Sequence, residues 1–327
     1  MSTHTTTRSP RTRGTAAIEV AGLRKSYGDH LVLDGIDFTV PTGSIFSMLG
    51  PNGAGKTTTV QILSTLIKPD AGVIRVAGHD LAAAAQSVRG AIGVTGQFSA
   101  VDNLLTGQEN LRLMADLNHL TRAEGRRRSA ELLERFELTD AAAKQPATYS
   151  GGMRRRLDLA MTLMGDPRLI FLDEPTTGLD PAGRRVMWRI IRDLVDEGVT
   201  IFLTTQYLEE ADQLADQVAV LDKGTLVAQG TPAELKRLIP GGHITLRFND
   251  VQDLDTAANT LTVSARDETA LTLQTPSEGD MKSLRALLAR LDAAEIEPAD
   301  LSIHTPDLDD VFLALTGHDA TTKDSSQ

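Results

Sequence analysis

The chain has 327 residues, 41% hydrophobic and 24% charged, which suits a globular protein with room for two domains and a sizeable core. It has no cysteine, which excludes disulfides and thiolate metal sites, and it has no run of about 18 apolar residues able to cross a bilayer. Of the net charge of −11, residues 241–327 carry 6 basic and 16 acidic side chains, 6 − 16 = −10, a balance that argues against non-specific nucleic-acid binding.

Residues 1–16 are polar and rich in Arg and Thr, without the apolar core of a secretory signal, and are expected to form a disordered tail. From 17 to 40 two stretches of alternating apolar residues flank Tyr27-Gly28-Asp29, the pattern of a β-hairpin or meander. The short apolar run 44–49 reads as a buried strand. It leads into Gly50-Pro51-Asn52-Gly53-Ala54-Gly55-Lys56-Thr57, which has the form G-x-x-x-x-G-K-[ST], and residues 55–67 then read as a helix. Small residues let such a loop curl until its N–H groups converge on phosphate oxygens, and the positive end of the helix adds to them. Lys56 reaches the outer phosphates and the Thr57 hydroxyl is placed to hold Mg²⁺, so the ligand class is a nucleoside triphosphate.

Strands are predicted at 73–76 and 92–94, followed by a helical region over about 99–166, with segments 103–120 and 121–138 and a helix after Ser150. Within Tyr149-Ser150-Gly151-Gly152-Met153, Ser150 is a natural N-cap and the glycines leave backbone N–H groups open to an anion. Alone, the pentapeptide reads as an ordinary capped helix. Residues 169–172 form an apolar strand that ends in Asp173-Glu174. A buried strand delivers its C-terminal residues to the crevice where phosphates sit, so Asp173 suits the Mg²⁺ shell and Glu174 can accept a proton from an attacking water. Strands return at 200–203 and 218–221, giving an α/β core over 17–240 with a helical insertion.

Pro240-Gly241-Gly242 marks a break. Beyond it the pattern reads strand 243–248, helix 251–260, strands 261–266 and 270–275, helix 279–293, strand 299–304 and a last helix 308–316. The first six follow the βαββαβ order of a ferredoxin-like domain. Residues 318–327 are expected to be a second disordered tail.

Together these motifs resemble, over residues 17–240, the ATP-binding cassette of ABC transporters. The implied fold is an α/β P-loop cassette with a helical subdomain, followed here by a small α+β domain over 241–317. The resemblance implies ATP and Mg²⁺ as ligands. It places nucleotide binding at Tyr27, which stacks on adenine, at Gly50 through Thr57 and Thr58, at the signature Ser150, Gly151 and Gly152, and at Asp180, which couples the two sites of a dimer. It adds Gln97, which senses Mg²⁺ and the attacking water and begins the loop that docks a membrane subunit. The implied catalytic set is Glu174, Lys56, Gln206 and Gln97, and the implied metal set is Thr57, Gln97 and Asp173. The signature departs from the family at Tyr149, usually leucine, and Met153, usually glutamine. A further departure is Gln206, where the family usually has histidine. Its amide can donate a hydrogen bond to a γ-phosphate oxygen but cannot carry a proton or a charge, which bears on the rate of hydrolysis.

Val94-Thr95-Gly96-Gln97, the run from Tyr149 to Leu159, Gln206 and Leu308-Asp309-Asp310-Val311-Phe312-Leu313 resemble one subgroup, the ATPase subunits of daunorubicin/doxorubicin-resistance exporters. This implies export of drug-like or antibiotic compounds, a homodimer in the ATP-bound state, separate transmembrane permease subunits, no nucleic-acid partner, and a peripheral place on the cytoplasmic face of the cell membrane. The Leu308–Leu313 segment reads either as a capping helix with Val311, Phe312 and Leu315 facing a core or as a partner contact. The rival classes are a P-loop kinase or GTPase, an ABC protein acting on ribosomes or DNA, and a regulatory ATP-binding module with very slow hydrolysis. A GTPase should carry an N-K-x-D guanine motif, which is absent from the sequence, and a kinase has no need of Ser150-Gly151-Gly152 or Asp180.

Overall fold

The computed structural model of the chain describes residues 16–96, 100–239, 242–277 and 281–317. Ala16, expected in the tail, already belongs to the first strand; the rest of both expected tails lies outside the described residues. The chain divides into two compact units, one through Pro232 and one from Ala233. That division falls ahead of Pro240-Gly241-Gly242, whose first two residues also lie outside the described ones.

The first unit opens with β1 (Ala16–Tyr27) and β2 (His30–Pro41), an antiparallel hairpin closed by the Tyr27–His30 pair. Next come β3 (Ile45–Leu49), the phosphate loop and α1 (Lys56–Leu63). α1 is shorter than the predicted 55–67. It ends at a Schellman turn in which Thr65 takes φ 66° and the Leu66 N–H donates to the Gln61 carbonyl at 2.8 Å. β4 (Ala71–Val76), β5 (His79–Asp80), α2 (Ala85–Arg89) and β6 (Ile92–Thr95) follow.

The helical insertion holds α3 (Gly107–Leu117), α4 (Arg122–Arg135) and α5 (Gly151–Thr162). α3 begins later than expected because Thr106 and Glu109 form a capping box, and the buried Asn110 amide bonds the Asp102 and Thr106 carbonyls at 2.9 and 3.0 Å, holding 102–106 as a loop. The unit continues through β7 (Leu169–Asp173), α6 (Pro181–Asp196), β8 (Thr200–Thr205), α7 (Leu208–Leu214), β9 (Gln217–Asp222) and β10 (Thr225–Gly230). α8 (Pro232–Lys236) lies across the division.

Two sheets result, one of order β2-β1-β4-β5 and one of order β10-β9-β3-β8-β7-β6. In the second, the pairs from β9 to β6 are parallel and only β10 runs antiparallel. Every residue of β3, β7 and β8 is buried, as expected of parallel strands covered on both faces. Side chains alternate between two cores with the period of the pleat. Phe46, Phe171 and Phe202 point toward the β1–β2 sheet, where Phe38 lies 5.4 Å from the Phe46 ring centroid. Ile170, Leu172, Ile201 and Leu203 point the other way, onto Leu111, Leu157 and Ile191 of the helical layer. The C-terminal ends of β3, β7 and β8 therefore emerge on one edge, held in register by Leu49–Thr205 and Asp173–Thr204 pairing.

The second unit contains β11 (His243–Arg247), α9 (Val251–Thr260), β12 (Ala265–Asp267), β13 (Thr272–Pro276), α10 (Met281–Ala293), β14 (Asp300–His304) and α11 (Leu308–Thr316). Its sheet is antiparallel throughout, of order β12-β13-β11-β14, and its first six elements follow βαββαβ. Leu246, Phe248, Leu254, Leu273 and Leu291 form a core of their own.

Candidate active site

The phosphate loop takes its shape from residues that tolerate what the backbone demands. Gly53 and Gly55 have φ 82° and 110°. At Gly55 a Cβ would also lie 2.6 Å from Leu33 Cδ2 and 3.0 Å from the Val32 carbonyl of β2, so the position has no room for one. Gly55 caps α1 without a side-chain acceptor, which leaves the first turn of N–H groups directed at the loop's mouth. Lys56 is 5% exposed, and its Nζ donates to the Gly50 and Pro51 carbonyls at 2.7 and 3.0 Å. Burial lowers its pKa, opposed by the charges of Glu174 and Asp173.

β7 brings the two carboxylates to this loop. Thr57 Oγ1 lies 3.4 Å from Asp173 Oδ1, which also accepts from Thr204 Oγ1 at 2.5 Å. Glu174 Oε1 stands 4.0 Å from Lys56 Nζ. Glu174 has φ 50°, a left-handed conformation costing about 1–3 kcal/mol for a residue other than glycine. Its N–H donates to the Thr204 carbonyl at 3.1 Å, and its Oε2 accepts from Thr177 Oγ1 at 3.2 Å. Gln206 is half-buried and directly follows Thr205, whose carbonyl accepts from the Gly50 N–H at 3.3 Å. Thus Lys56, Thr57, Asp173 and Glu174 converge at one edge of the sheet, and the chain turns at Gln206 beside them.

The donor set at Thr57 and Asp173 consists of hard oxygens and suits Mg²⁺ held jointly with phosphates. No group of three or more His, Cys, Asp or Glu able to hold a metal occurs among the described residues. Tyr27, at the tip of the β1–β2 hairpin, is 50% exposed, with Lys25 Nζ 5.5 Å from its ring centroid. Thr58 lies in the first turn of α1. Gln97 lies outside the described residues.

Ser150, Gly151, Gly152 and Asp180 are brought together elsewhere. They line a concavity with Gly178 and Leu179 to which no residue of the phosphate loop contributes. Ser150 caps α5, accepting from the Met153 N–H at 3.2 Å, and Asp180 caps α6, accepting from the Gly183 N–H at 2.8 Å. The signature's unusual Tyr149 is buried and donates its phenolic hydrogen to the Ala141 carbonyl at 2.6 Å.

Two residues absent from the expected set sit at the site's foundation. Glu210 of α7 is fully buried, and its Oε1 accepts from Thr176 Oγ1 and Trp188 Nε1 at 2.8 and 3.2 Å. Arg155 of α5 bonds the backbone around Asp173 and Glu174. The signal for Arg155 was Asp158, an acid set between Leu157 and Leu159 on an apolar helix face, which needs a cation one turn away.

A phosphate loop joined to a carboxylate-ended parallel strand, with a helical insertion between them, defines a phosphate-loop nucleotide-binding fold. Residues 33–177 match the family model for ABC transporter. A daunorubicin resistance ATP-binding protein of Streptomyces coeruleorubidus is 47% identical, covering 95% of this chain and 99% of that protein. A daunorubicin/doxorubicin resistance ATP-binding protein of Streptomyces peucetius is 46% identical over 97% of each. A Nod factor export ATP-binding protein of Ralstonia nicotianae is 39% identical, covering 95% of this chain and 97% of that protein. Among solved structures, an ATP-binding subunit of an ABC transporter matches with TM-score 0.61 and 31% identity, covering 68% of this chain and 92% of that one. The chain belongs to the ATP-binding family of ABC transporters, and it is an ATPase. Among the described residues no helix is long and apolar enough to cross a membrane.

Proposed function

We propose that the chain powers a multisubunit exporter of drug-like or antibiotic compounds, sitting at the cytoplasmic face of the cell membrane as the peripheral partner of separate permease subunits. Full-length similarity to the two Streptomyces resistance proteins supports that cargo class. The observation that carries the hydrolytic chemistry is the approach of Lys56 Nζ to 4.0 Å from Glu174 Oε1 beside the Thr57–Asp173 pair.

In this reading Tyr27 stacks on adenine and the loop from Gly50 to Thr58 cradles the phosphates. Glu174 accepts a proton from a water whose oxygen bonds to the γ-phosphorus. The bond from that phosphorus to its bridging oxygen breaks as this happens, and ADP leaves with the electron pair. Lys56 balances the charge that develops on the phosphoryl oxygens. Mg²⁺, held by Thr57 and Asp173, would supply further charge neutralisation there. Gln206 donates its amide to a γ-phosphate oxygen and takes no proton. Gln97 keeps the water-sensing and permease-docking role implied by the family resemblance.

A second copy completes the site. Ser150, Gly151 and Gly152 open on a concavity apart from the phosphate loop. Neither glycine has positive φ, and a Cβ on Gly151 or Gly152 would meet nothing closer than 3.9 Å. The fold therefore leaves room for side chains there, and their absence favours close approach of an outside ligand to the backbone. A γ-phosphate bound by one copy and covered by α5 of the other would hold two chains together as long as ATP is intact.

The test is Glu174→Gln, expected to lower kcat by about 100-fold or more and to accumulate an ATP-bound dimer on light scattering, with Lys56→Ala losing nucleotide binding or turnover. Wild-type turnover in Glu174→Gln, or a monomer in ATP with the permease present, would overturn the reading.

A further inference from the structure

α5 has Ser150–Gly152 at its N-terminal end, and its fifth residue, Arg155, links the helical insertion to the hydrolytic strand. The guanidinium is largely buried. Its Nη2 donates to the carbonyls of Asp173 at 2.9 Å and Glu174 at 3.3 Å, and its Nε donates to the Pro175 carbonyl at 3.1 Å. Its Nη1 donates to the Gly96 carbonyl at 2.9 Å and lies 3.5 Å from Asp158 Oδ2. Three consecutive carbonyls at the end of β7 and one at the end of β6 are thus gathered by one planar fork. Burial lowers the Arg155 pKa, and the charges of Asp158, Asp173, Glu210 and Glu174 oppose that shift. Asp158 is 3% exposed, and its other oxygen accepts from the Ala100 N–H at 3.1 Å.

The backbone so gripped is the one that needs gripping. Glu174 is held at φ 50°, where a non-glycine residue stays only if its surroundings fix it. Thr204 fixes the Glu174 N–H from the side of β8, through its carbonyl and its hydroxyl at 3.1 and 3.2 Å. Arg155 fixes the carbonyl side. Without both, the peptide is free to relax toward ordinary φ and swing the carboxylate away from Lys56.

We infer that Arg155 is a positioning residue for hydrolysis: it locks the strained Glu174 backbone in its reactive orientation and ties that orientation to the helix that presents Ser150–Gly152. The inference rests on the reading of Glu174 as the carboxylate that activates water. A lysine cannot replace it, since three donors on a flexible stem do not reproduce a planar five-donor fork.

The test uses the full chain with Mg-ATP. Arg155→Met is expected to lower kcat by about 10–100-fold, with KM and the Kd for a fluorescent ATP analogue within about twofold, because the phosphate loop itself is untouched. Arg155→Lys should recover only a small part of kcat. In a Glu174→Gln background, Arg155→Met should cause no further loss, because Arg155 acts through Glu174. Wild-type kcat in Arg155→Met, or full additivity with Glu174→Gln, overturns the inference. If Arg155→Met fails to fold by circular dichroism, Arg155→Lys reads the same split, and a raised KM with unchanged kcat overturns it. If instead Glu174→Gln itself turns over at the wild-type rate, it is the proposed function that fails.

Discussion

Glu210 shows how much of this site is held by groups that touch no substrate. Its carboxyl is fully buried, and Oε1 accepts from Thr176 and Trp188. Burial raises its pKa above the ordinary 4.5, with hydrogen bonds from Thr205, Thr176 and Trp188 and the charge of Arg155 opposing. The folded chain therefore holds this proton more tightly than the unfolded chain does. The stability it confers is complete below the unfolded pKa and declines as pH rises from there through the folded value. Glu210→Gln, which does not titrate, should flatten that part of the profile. Urea midpoints measured across pH should fall more steeply above about pH 4.5 in the wild type than in the variant, and parallel profiles would refute the assignment. Glu210 was not legible in the sequence, where it is one of two adjacent acids at the start of a helix. Only the tertiary fold separates the exposed Glu209 from the buried Glu210. The convergence of Lys56, Thr57, Asp173 and Glu174 at one edge of the sheet was legible because the spacing of each motif sets it locally, whereas Arg155, which acts on backbone atoms, left only the indirect mark of Asp158 one turn on.

Elements meet with similar economy where α3 packs on the chain before α5. A Cβ on Gly107 would collide with the Tyr149 hydroxyl, which is itself occupied with the Ala141 carbonyl. The bulk of the unusual Tyr149 is thus accommodated by the missing side chain at the start of α3. Gly107→Ala should destabilise the wild type by about 1–3 kcal/mol through overpacking, and Tyr149→Phe alone by about 0.5–1.5 kcal/mol. In the Tyr149→Phe background the cost of Gly107→Ala should fall toward zero, so a double-mutant cycle in urea should show a coupling of about 1 kcal/mol or more. Additive effects would mean that the two residues do not share the space. The helix starts here were readable in principle. Thr106-x-x-Glu109 and Thr121-x-x-Glu124 both form capping boxes, and the first explains why α3 begins later than its apolar pattern suggested. The strand predicted at 261–266 was misplaced for a physical reason. Leu261 is buried in the core of the second unit as the C-cap of α9, so an apolar run that resembles a strand serves to end a helix, and β12 begins only at Ala265.

The whole molecule consists of two units with separate hydrophobic cores, and the residues proposed to bind nucleotide all belong to the first. A ligand that binds only the native state of one unit stabilises that unit, by about 2.7 kcal/mol at 100 times its Kd. Calorimetry with Mg-ADP should therefore raise the melting transition of the first unit and leave that of the second in place; equal shifts in both would show that they unfold as one. At this scale the sequence was most informative. The alternation of strand and helix, the insertion and the βαββαβ order could all be read from it, because burial period and chain length constrain them. No change of composition marks the division ahead of Ala233, whereas Pro240-Gly241-Gly242 marks the break a few residues on.

The fold itself does not require the two glycines Gly151 and Gly152. If Gly151 and Gly152 of each chain serve the ATP of the other, as proposed, a lesion there leaves its own chain's phosphate loop whole and damages its neighbour's. Such a lesion would behave as a poison in mixed populations. Where a pair needs both sites intact, activity follows the square of the wild-type fraction, and half-and-half expression leaves a quarter. A lesion in the signature is then inherited as dominant wherever the one site left intact in a mixed pair is enough to hold it together.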